Sequence, residues 1–122
     1  NRKVWHFDLD NSGNPSNQTL LYDFGGGRGG DGMRLDSEGN IYVAAGIMNP
    51  RGEHETDEVP PGIYVISPSG DLNARIPIGE DVITNLAFGG TDGKTIYVTA
   101  GKTIYTARVP IAGQVSYPNW SE

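Results

Sequence analysis

The 122-residue chain contains no cysteine, which excludes a disulfide framework, a cysteine-ligated zinc site and a thiol nucleophile. It also lacks any apolar run near the roughly 20 residues that a membrane-spanning helix requires, so we expect no membrane segment. Basic residues are scarce: 9 lysines and arginines stand against 15 acidic residues, a net charge of −6. Because nucleic-acid binding needs a basic surface that displaces counterions from phosphates, we expect no nucleic-acid partner.

Glycine is abundant instead, at 18 positions. Turns rich in glycine separate short segments of aromatic and β-branched residues, a pattern typical of strands. No long window carries apolar residues at helical spacing. The sequence therefore predicts an all-β chain with strands at 3–9, 19–24, 32–36, 41–45, 62–67, 72–78, 84–88, 95–99 and 103–109.

One sequence cassette occurs twice. Residues 41–46 read Ile-Tyr-Val-Ala-Ala-Gly and residues 96–101 read Ile-Tyr-Val-Thr-Ala-Gly, and each copy follows a predicted strand and turn. A repeat of about 40–55 residues with four short strands is typical of a β-propeller blade. A β-sandwich stays open as the alternative, because nine short strands in one domain also suit that fold.

The repeat predicts a partial propeller in which the strands are divided among blades. We expect the last two strands of one blade in 1–24, a full blade in 31–78, three strands of a further blade in 83–109 and a tail in 110–122. A charged loop at 46–61 then lies between the second and third strands of the full blade. It is either a lid over the mouth of a central channel or a solvated insertion.

Three ordered motifs resemble the SMP-30/gluconolactonase/luciferin-regenerating family. They are Asp-Gly-Met-Arg-Leu-Asp-Ser-Glu-Gly-Asn-Ile-Tyr-Val-Ala at 31–44, Gly-Ile-Tyr-Val-Ile-Ser-Pro-Ser-Gly at 62–70, and the pair Thr-Asn-Leu-Ala-Phe-Gly-Gly and Lys-Thr-Ile-Tyr-Val-Thr-Ala within 84–100. The resemblance covers about residues 1–109. It implies the C-terminal blades of a six-bladed propeller, a divalent metal (commonly calcium) in the central channel, and hydrolysis of lactones or related esters.

The resemblance also implies site residues. Asp31, from the Asp-Gly-Met motif, corresponds to a metal ligand of the family, and it would also orient or deprotonate the attacking water. The alternative is a turn residue that caps the glycine-rich loop. Asn85, at the start of the next inner strand, is a candidate for substrate binding, and its alternative is a hydrogen bond at the start of that strand.

The family's remaining metal ligands are expected upstream of this chain. Calcium takes 6–8 oxygen ligands, and one carboxylate cannot hold it tightly. We therefore expect the isolated chain to be inactive, although its parent is a calcium-dependent lactonase on this interpretation.

Four other features have structural interpretations. His6 is expected to pack on its strand, and His54 lies in the charged loop without a recognisable nucleophile partner. Residues 25–30 match a G-x-G-x-x-G pattern, but no helix follows that would bind a pyrophosphate. Residues 8–13 begin like a calcium-binding EF-hand loop, but its twelfth position is Thr19 and not glutamate, so a polar hairpin turn is expected.

Two functions remain open at this point. The first is a lactonase whose substrate is a small lactone or ester. The second is a propeller fragment without activity that binds a partner or itself through exposed blade edges, because unpaired apolar sheet faces favour association.

Overall fold

The computed structural model describes residues 2–115, whose regular secondary structure consists of nine strands. They are β1 (Lys3–Leu9), β2 (Pro15–Asp23), β3 (Gly30–Leu35), β4 (Ile41–Ala45), β5 (Gly62–Ile66), β6 (Leu72–Pro77), β7 (Ile83–Gly89), β8 (Thr95–Ala100) and β9 (Thr103–Arg108). The all-β prediction is confirmed. Within this described part of the chain, no helix is long and apolar enough to cross a membrane.

Eight of the predicted strands agree with the observed ones to within two residues at either end, and β2 differs more. It begins at Pro15, whereas the sequence pattern places its start at residue 19. Proline is compatible with this position because the first residue of a strand has no need to donate to the ladder. The turn before β2 is therefore confined to residues 10–14, and the other polar residues belong to the strand.

The strands form three antiparallel sheets, each with its strands in sequential order. The first contains β1 and β2, the second β3 to β6 and the third β7 to β9. The charged loop joins β4 to β5 within the second sheet. Three sheets stacked in succession, each a simple meander, form part of a β-propeller and not a two-layer sandwich. The sandwich alternative is therefore wrong.

Two apolar clusters hold the three sheets together. One joins the first sheet to the second and includes Val4, Val43 and Ile66; the other joins the second to the third and includes Ile63, Ile83 and Val98. All five residues of β5 are buried because the second sheet has a neighbour on each face. Alternate residues along β4 and β5 point into opposite clusters, as the period of two in a strand requires.

Short turns with the same hydrogen-bond pattern connect several of the strands. In one, Asp36 accepts bonds from the backbone N–H groups of Glu38 and Asn40 and from the Asn40 side chain, each at 2.9 Å. Asp10 and Asn14 repeat this arrangement between β1 and β2. The hairpin turn predicted for residues 8–13 is confirmed. The two turns differ in burial, since Asp36 is buried and Asp10 is exposed.

Part of the predicted tail lies within the described residues. Gly113 forms a β-bridge with Asp36, and the N–H of Gln114 donates to the carbonyl of Leu35 at 2.9 Å. The N–H of Gly113 also donates to the carbonyl of Gly93 at 3.0 Å, so this segment joins the second sheet to the third. Residues 116–122 of the predicted tail lie outside the described residues.

The prediction that His6 is packed is wrong. Its side chain is exposed, and it lies at the rim of an apolar groove of about 480 Å³ that Trp5 and Met33 also line. The first sheet has only two strands, so most of β1 has no layer over its side chains. Only Val4 of this strand is buried.

Candidate functional site

Asp31 is the second residue of β3, and its side chain is 49% exposed. Its Oδ2 lies 3.4 Å from an Nη of Arg28. Both residues line a cavity of about 390 Å³ whose other charged or titratable residues are Arg2, His54 and Glu55. Within residues 2–115 no backbone N–H donates to the Asp31 carboxylate, so it does not cap the glycine-rich loop as a turn residue does.

Asn85 lies on β7, on the strand that packs beside β3. Its side chain contacts Gly32, the residue after Asp31. Its Oδ1 accepts the backbone N–H of Leu86 at 2.9 Å, which is the hydrogen bond at the start of the strand that we gave as the alternative. Asn85 lines a separate cavity of about 260 Å³. Its role in substrate binding stays a prediction.

The glycine-rich loop at residues 25–30 is packed against the charged loop. A side chain on Gly27 would lie 2.8 Å from the backbone nitrogen of Val59, and the Glu58 carboxylate lies against Gly26. Glycine is needed at Gly27 because the backbone of Val59 approaches too closely for a Cβ, whereas the contact at Gly26 is with the flexible end of the Glu58 side chain. The glycine-rich loop therefore leaves room for the neighbouring charged loop. The element that follows it is β3 and not a helix, so the nucleotide-binding interpretation stays excluded.

Asp81, in the segment just before β7, fixes the start of the charged loop. Its Oδ1 accepts the N–H groups of Asn49 at 2.8 Å and Met48 at 2.9 Å, and its Oδ2 lies 3.2 Å from an Nη of Arg51. These partners favour the ionised carboxylate, and the N–H of Asn49 is foremost in lowering the pKa of Asp81. Next to this contact, Ile47 is fully buried and forms a β-bridge with Val82.

The far part of the loop forms one wall of the Asp31 cavity. His54 and Glu55 line the cavity, and the Arg2 side chain donates a hydrogen bond to the backbone carbonyl of His54. The loop is thus not a purely solvated insertion, and its role as a lid over a channel mouth stays a prediction. Its ends are fixed by buried contacts, and its charged residues face the cavity and the solvent.

Sequence reasoning missed Arg2, Arg28 and Asp81. Arg28 precedes Asp31 by three residues, and this proximity is the signal that would have found it. Arg2 and Asp81 are more than 20 residues from the loop positions they contact. A single sequence without periodicity in that loop contains no signal for such contacts.

The residues described here do not form a complete metal site. Among residues 2–115, no group of three or more histidine, aspartate or glutamate side chains is placed to hold a metal ion. Asp31 is one hard oxygen donor, whereas Ca²⁺ takes 6–8 oxygen ligands. The predicted metal role of Asp31 would therefore require ligands from outside this part of the chain.

Two curated proteins are similar to the chain. A gluconolactonase of Zymomonas mobilis is 28% identical over 118 residues, which are 90% of this chain and 29% of that protein. A 6-deoxy-6-sulfogluconolactonase of Pseudomonas putida is 31% identical over 104 residues, which are 84% of this chain and 32% of that protein. The chain thus spans about a third of the length of these relatives.

Solved structures show the same similarity. A crystal structure of a protein assigned as a gluconolactonase superposes with a TM-score of 0.73 at 25% identity, and the match covers 92% of this chain and 33% of the other. A luciferin-regenerating enzyme superposes with a TM-score of 0.64 at 29% identity, over 81% of this chain and 30% of the other. The three stacked sheets therefore occur within longer proteins of known fold.

The family comparison agrees with the motifs at the site. The model of the SMP-30/Gluconolactonase/LRE-like region matches residues 1–102, which include β3 with Asp31, the charged loop and β7 with Asn85. The chain belongs to the SMP-30/gluconolactonase/LRE-like family.

Proposed function

We propose that the chain forms part of the active site of a lactonase that hydrolyses a small sugar lactone or a related ester. The observation that carries this proposal is the position of Asp31, on β3 and beside a polar cavity, in a chain whose curated relatives are named lactonases. The cavity, about 390 Å³, is in the size range of small-molecule sites. Its polar lining suits a substrate rich in hydroxyl groups.

The chemistry proposed for Asp31 is general-base catalysis. Its carboxylate accepts a proton from a water molecule, whose oxygen then forms a bond to the lactone carbonyl carbon. The ring C–O bond breaks, the ring oxygen takes up a proton and the product is a hydroxy acid. Arg28, 3.4 Å from Asp31, restricts the orientation of the carboxylate toward the cavity.

A divalent cation, Ca²⁺ on the basis of the family resemblance, is part of the proposal. Asp31 would supply one oxygen ligand, and the others would come from outside residues 2–115. Because the chain spans about a third of its relatives, we propose the activity for the complete product of the gene that encodes it. The 122-residue chain alone is expected to be inactive.

The test is hydrolysis of glucono-δ-lactone by the complete gene product, followed as proton release with the spontaneous rate subtracted. Asp31→Asn should lower kcat/KM by about 10²- to 10⁴-fold, the usual contribution of a general base. Asp57→Asn, an exposed position of the charged loop, is the matched control and should leave the rate unchanged. Wild-type activity in Asp31→Asn would overturn the role of Asp31.

Chelation tests the metal separately. EDTA should abolish hydrolysis by the wild-type gene product, and added CaCl₂ should restore it. An unchanged rate after EDTA would remove the metal from the proposal and leave the general base untouched.

A second candidate function is association through the outer sheets. Large apolar side chains are exposed there: Trp5, Phe7 and Leu9 on β1, and Ile104 on β9. Apolar patches that stay exposed on a protein surface mark interaction sites. On this alternative the isolated chain forms oligomers or binds a partner, and light scattering on the purified chain tests the first of these. A stable monomer at high concentration would refute self-association.

A further inference from the structure

The Asp31 cavity contains a cationic side chain that the proposed chemistry does not use. Arg2, half-buried just before β1, lines the cavity next to His54 of the charged loop. Its guanidinium donates a hydrogen bond to the backbone carbonyl of His54. Because that carbonyl is neutral, the bond leaves the positive charge of Arg2 uncompensated. Among residues 2–115, no carboxylate lies within ion-pair distance of Arg2.

The charged groups of the cavity differ in their partners. Arg28 is paired with Asp31 at 3.4 Å. Glu55 has a neutral partner, since one of its carboxylate oxygens accepts the backbone N–H of Arg51 at 2.8 Å. Arg2 therefore differs from Arg28, since its charge has no counterpart within reach while both side chains line the same space.

Arg2 is also held in place before any ligand binds. Its backbone carbonyl accepts the N–H of Phe24 at 2.8 Å, which ties it to the end of β2, and its side chain is tied to His54. A guanidinium has five N–H donors in a planar fork, so one bond to a carbonyl leaves others for a carboxylate or sulfonate. A side chain that is already ordered loses little conformational entropy when it binds an anion.

We propose that Arg2 is an anion-binding residue of the Asp31 cavity, and that the substrate is a sugar lactone bearing an acidic group, such as a sulfonate or a carboxylate, away from its ring carbonyl. This inference rests on the proposed lactonase function and adds the substrate class. Arg2 binds the acidic group while Asp31 acts at the carbonyl, so that Arg2 distinguishes acidic lactones from neutral ones.

The experiment compares two lactones that differ in one group. Glucono-δ-lactone is the neutral substrate and 6-deoxy-6-sulfogluconolactone is the anionic one, and both are given to the complete gene product. Arg2→Gln should lower kcat/KM for the sulfonated lactone by about tenfold or more, mainly through KM, because a charge-assisted hydrogen bond is lost. The neutral lactone should be hydrolysed as before.

Two further variants serve as controls. Arg2→Lys keeps the charge and should retain part of the preference for the sulfonated lactone. Lys102→Gln removes one positive charge at an exposed position between β8 and β9 and should change neither rate. A loss that is equal for both lactones, or no loss for either, overturns the proposal.

Direct binding separates this proposal from the lactonase function. Calorimetric titration uses 6-deoxy-6-sulfoglucose and glucose, two sugars that cannot be hydrolysed as lactones. If neither lactone is hydrolysed, the lactonase proposal fails, and the anion site is judged by titration alone. Binding of the sulfonated sugar that is lost in Arg2→Gln supports it, and binding that is absent or unaffected by Arg2→Gln overturns it.

Discussion

Gly32 of β3 lies directly against Asn85 of β7, so close that a Cβ on Gly32 would be 2.8 Å from the Asn85 Cα and closer still to its side chain. This contact joins the second sheet to the third, one residue from Asp31. The glycine of the Asp-Gly-Met motif therefore has a packing role. It allows β3 and β7 to approach each other where the candidate site lies.

Gly32→Ala should destabilise the fold by about 1–3 kcal/mol, because the new methyl group must displace a backbone and not a flexible side chain. Unfolding in denaturant measures the loss. Gly79→Ala is the matched control, since a Cβ there meets nothing within 4 Å, and it should change stability by less than about 0.5 kcal/mol. Equal effects of the two substitutions would contradict the close contact.

The two similar aspartate turns can show whether burial decides how much the same set of hydrogen bonds contributes to stability. Asp36→Ala leaves two backbone N–H groups and the Asn40 amide without their acceptor in a buried turn, and should cost about 2–4 kcal/mol. Asp10→Ala removes the same set of bonds on an exposed turn, where water replaces the carboxylate, and should cost clearly less. Denaturant unfolding of both variants gives the difference. A larger loss for Asp10→Ala would show that burial does not decide the effect.

Asp81 should make the stability of the chain depend on pH under acidic conditions. Hydrogen bonds from Asn49 and Met48, with Arg51, hold the pKa of Asp81 below its ordinary value of 3.8 in the folded state. A lowered folded pKa means that this stabilisation is complete above the unfolded pKa and is lost as pH falls through the folded pKa. The difference in thermal midpoint between wild type and Asp81→Asn should therefore be constant above about pH 5 and shrink below about pH 4.

The control for this pH effect is Asp57→Asn, which removes the same charge from an exposed position in the same loop. Its midpoint should follow that of the wild type across the acid range. A difference for Asp81→Asn that stays constant down to pH 2 would show that the carboxylate charge is not what holds the loop.

The two faces of β5 should behave independently. Ile63 and Ile66 are both fully buried but belong to different apolar clusters, one on each side of the second sheet. Ile→Val at either position should cost about 0.5–1.5 kcal/mol. Because the clusters have no shared partners, the double variant should equal the sum of the single ones to within about 0.5 kcal/mol in denaturant unfolding. A larger deviation would indicate that the backbone of β5 shifts as a unit.

The strands were predictable from the sequence because period-two alternation and turn residues are local signals. The hexapeptide at 41–46 and its copy at 96–101 indicated blades, and both β4 and β8 are observed there. The burial of β5 on both faces was not predicted, since it depends on sheets that come from other parts of the chain. Residue types alone do not distinguish buried Asp36 from exposed Asp10.

The candidate site was predictable only in part. The motif identified Asp31, and the structure places it beside a polar cavity. The residues that share the cavity, Arg2, His54 and Glu55, come from two segments without periodicity, and their meeting follows from the packing of the charged loop on the glycine-rich loop. Such long-range contacts depend on tertiary structure. The His6 prediction was wrong for the same reason, because alternation along a strand does not show whether another layer covers it.

The burial of β5 on both faces constrains how this region can change during evolution. A strand with one face in solvent can accept charged or polar residues at every second position, but β5 has no such positions between Gly62 and Ile66. Each substitution there must be accommodated by whichever neighbouring sheet it faces. Sequence change is therefore easier at the exposed positions of the neighbouring strand β6 and in the charged loop, part of which lines the cavity.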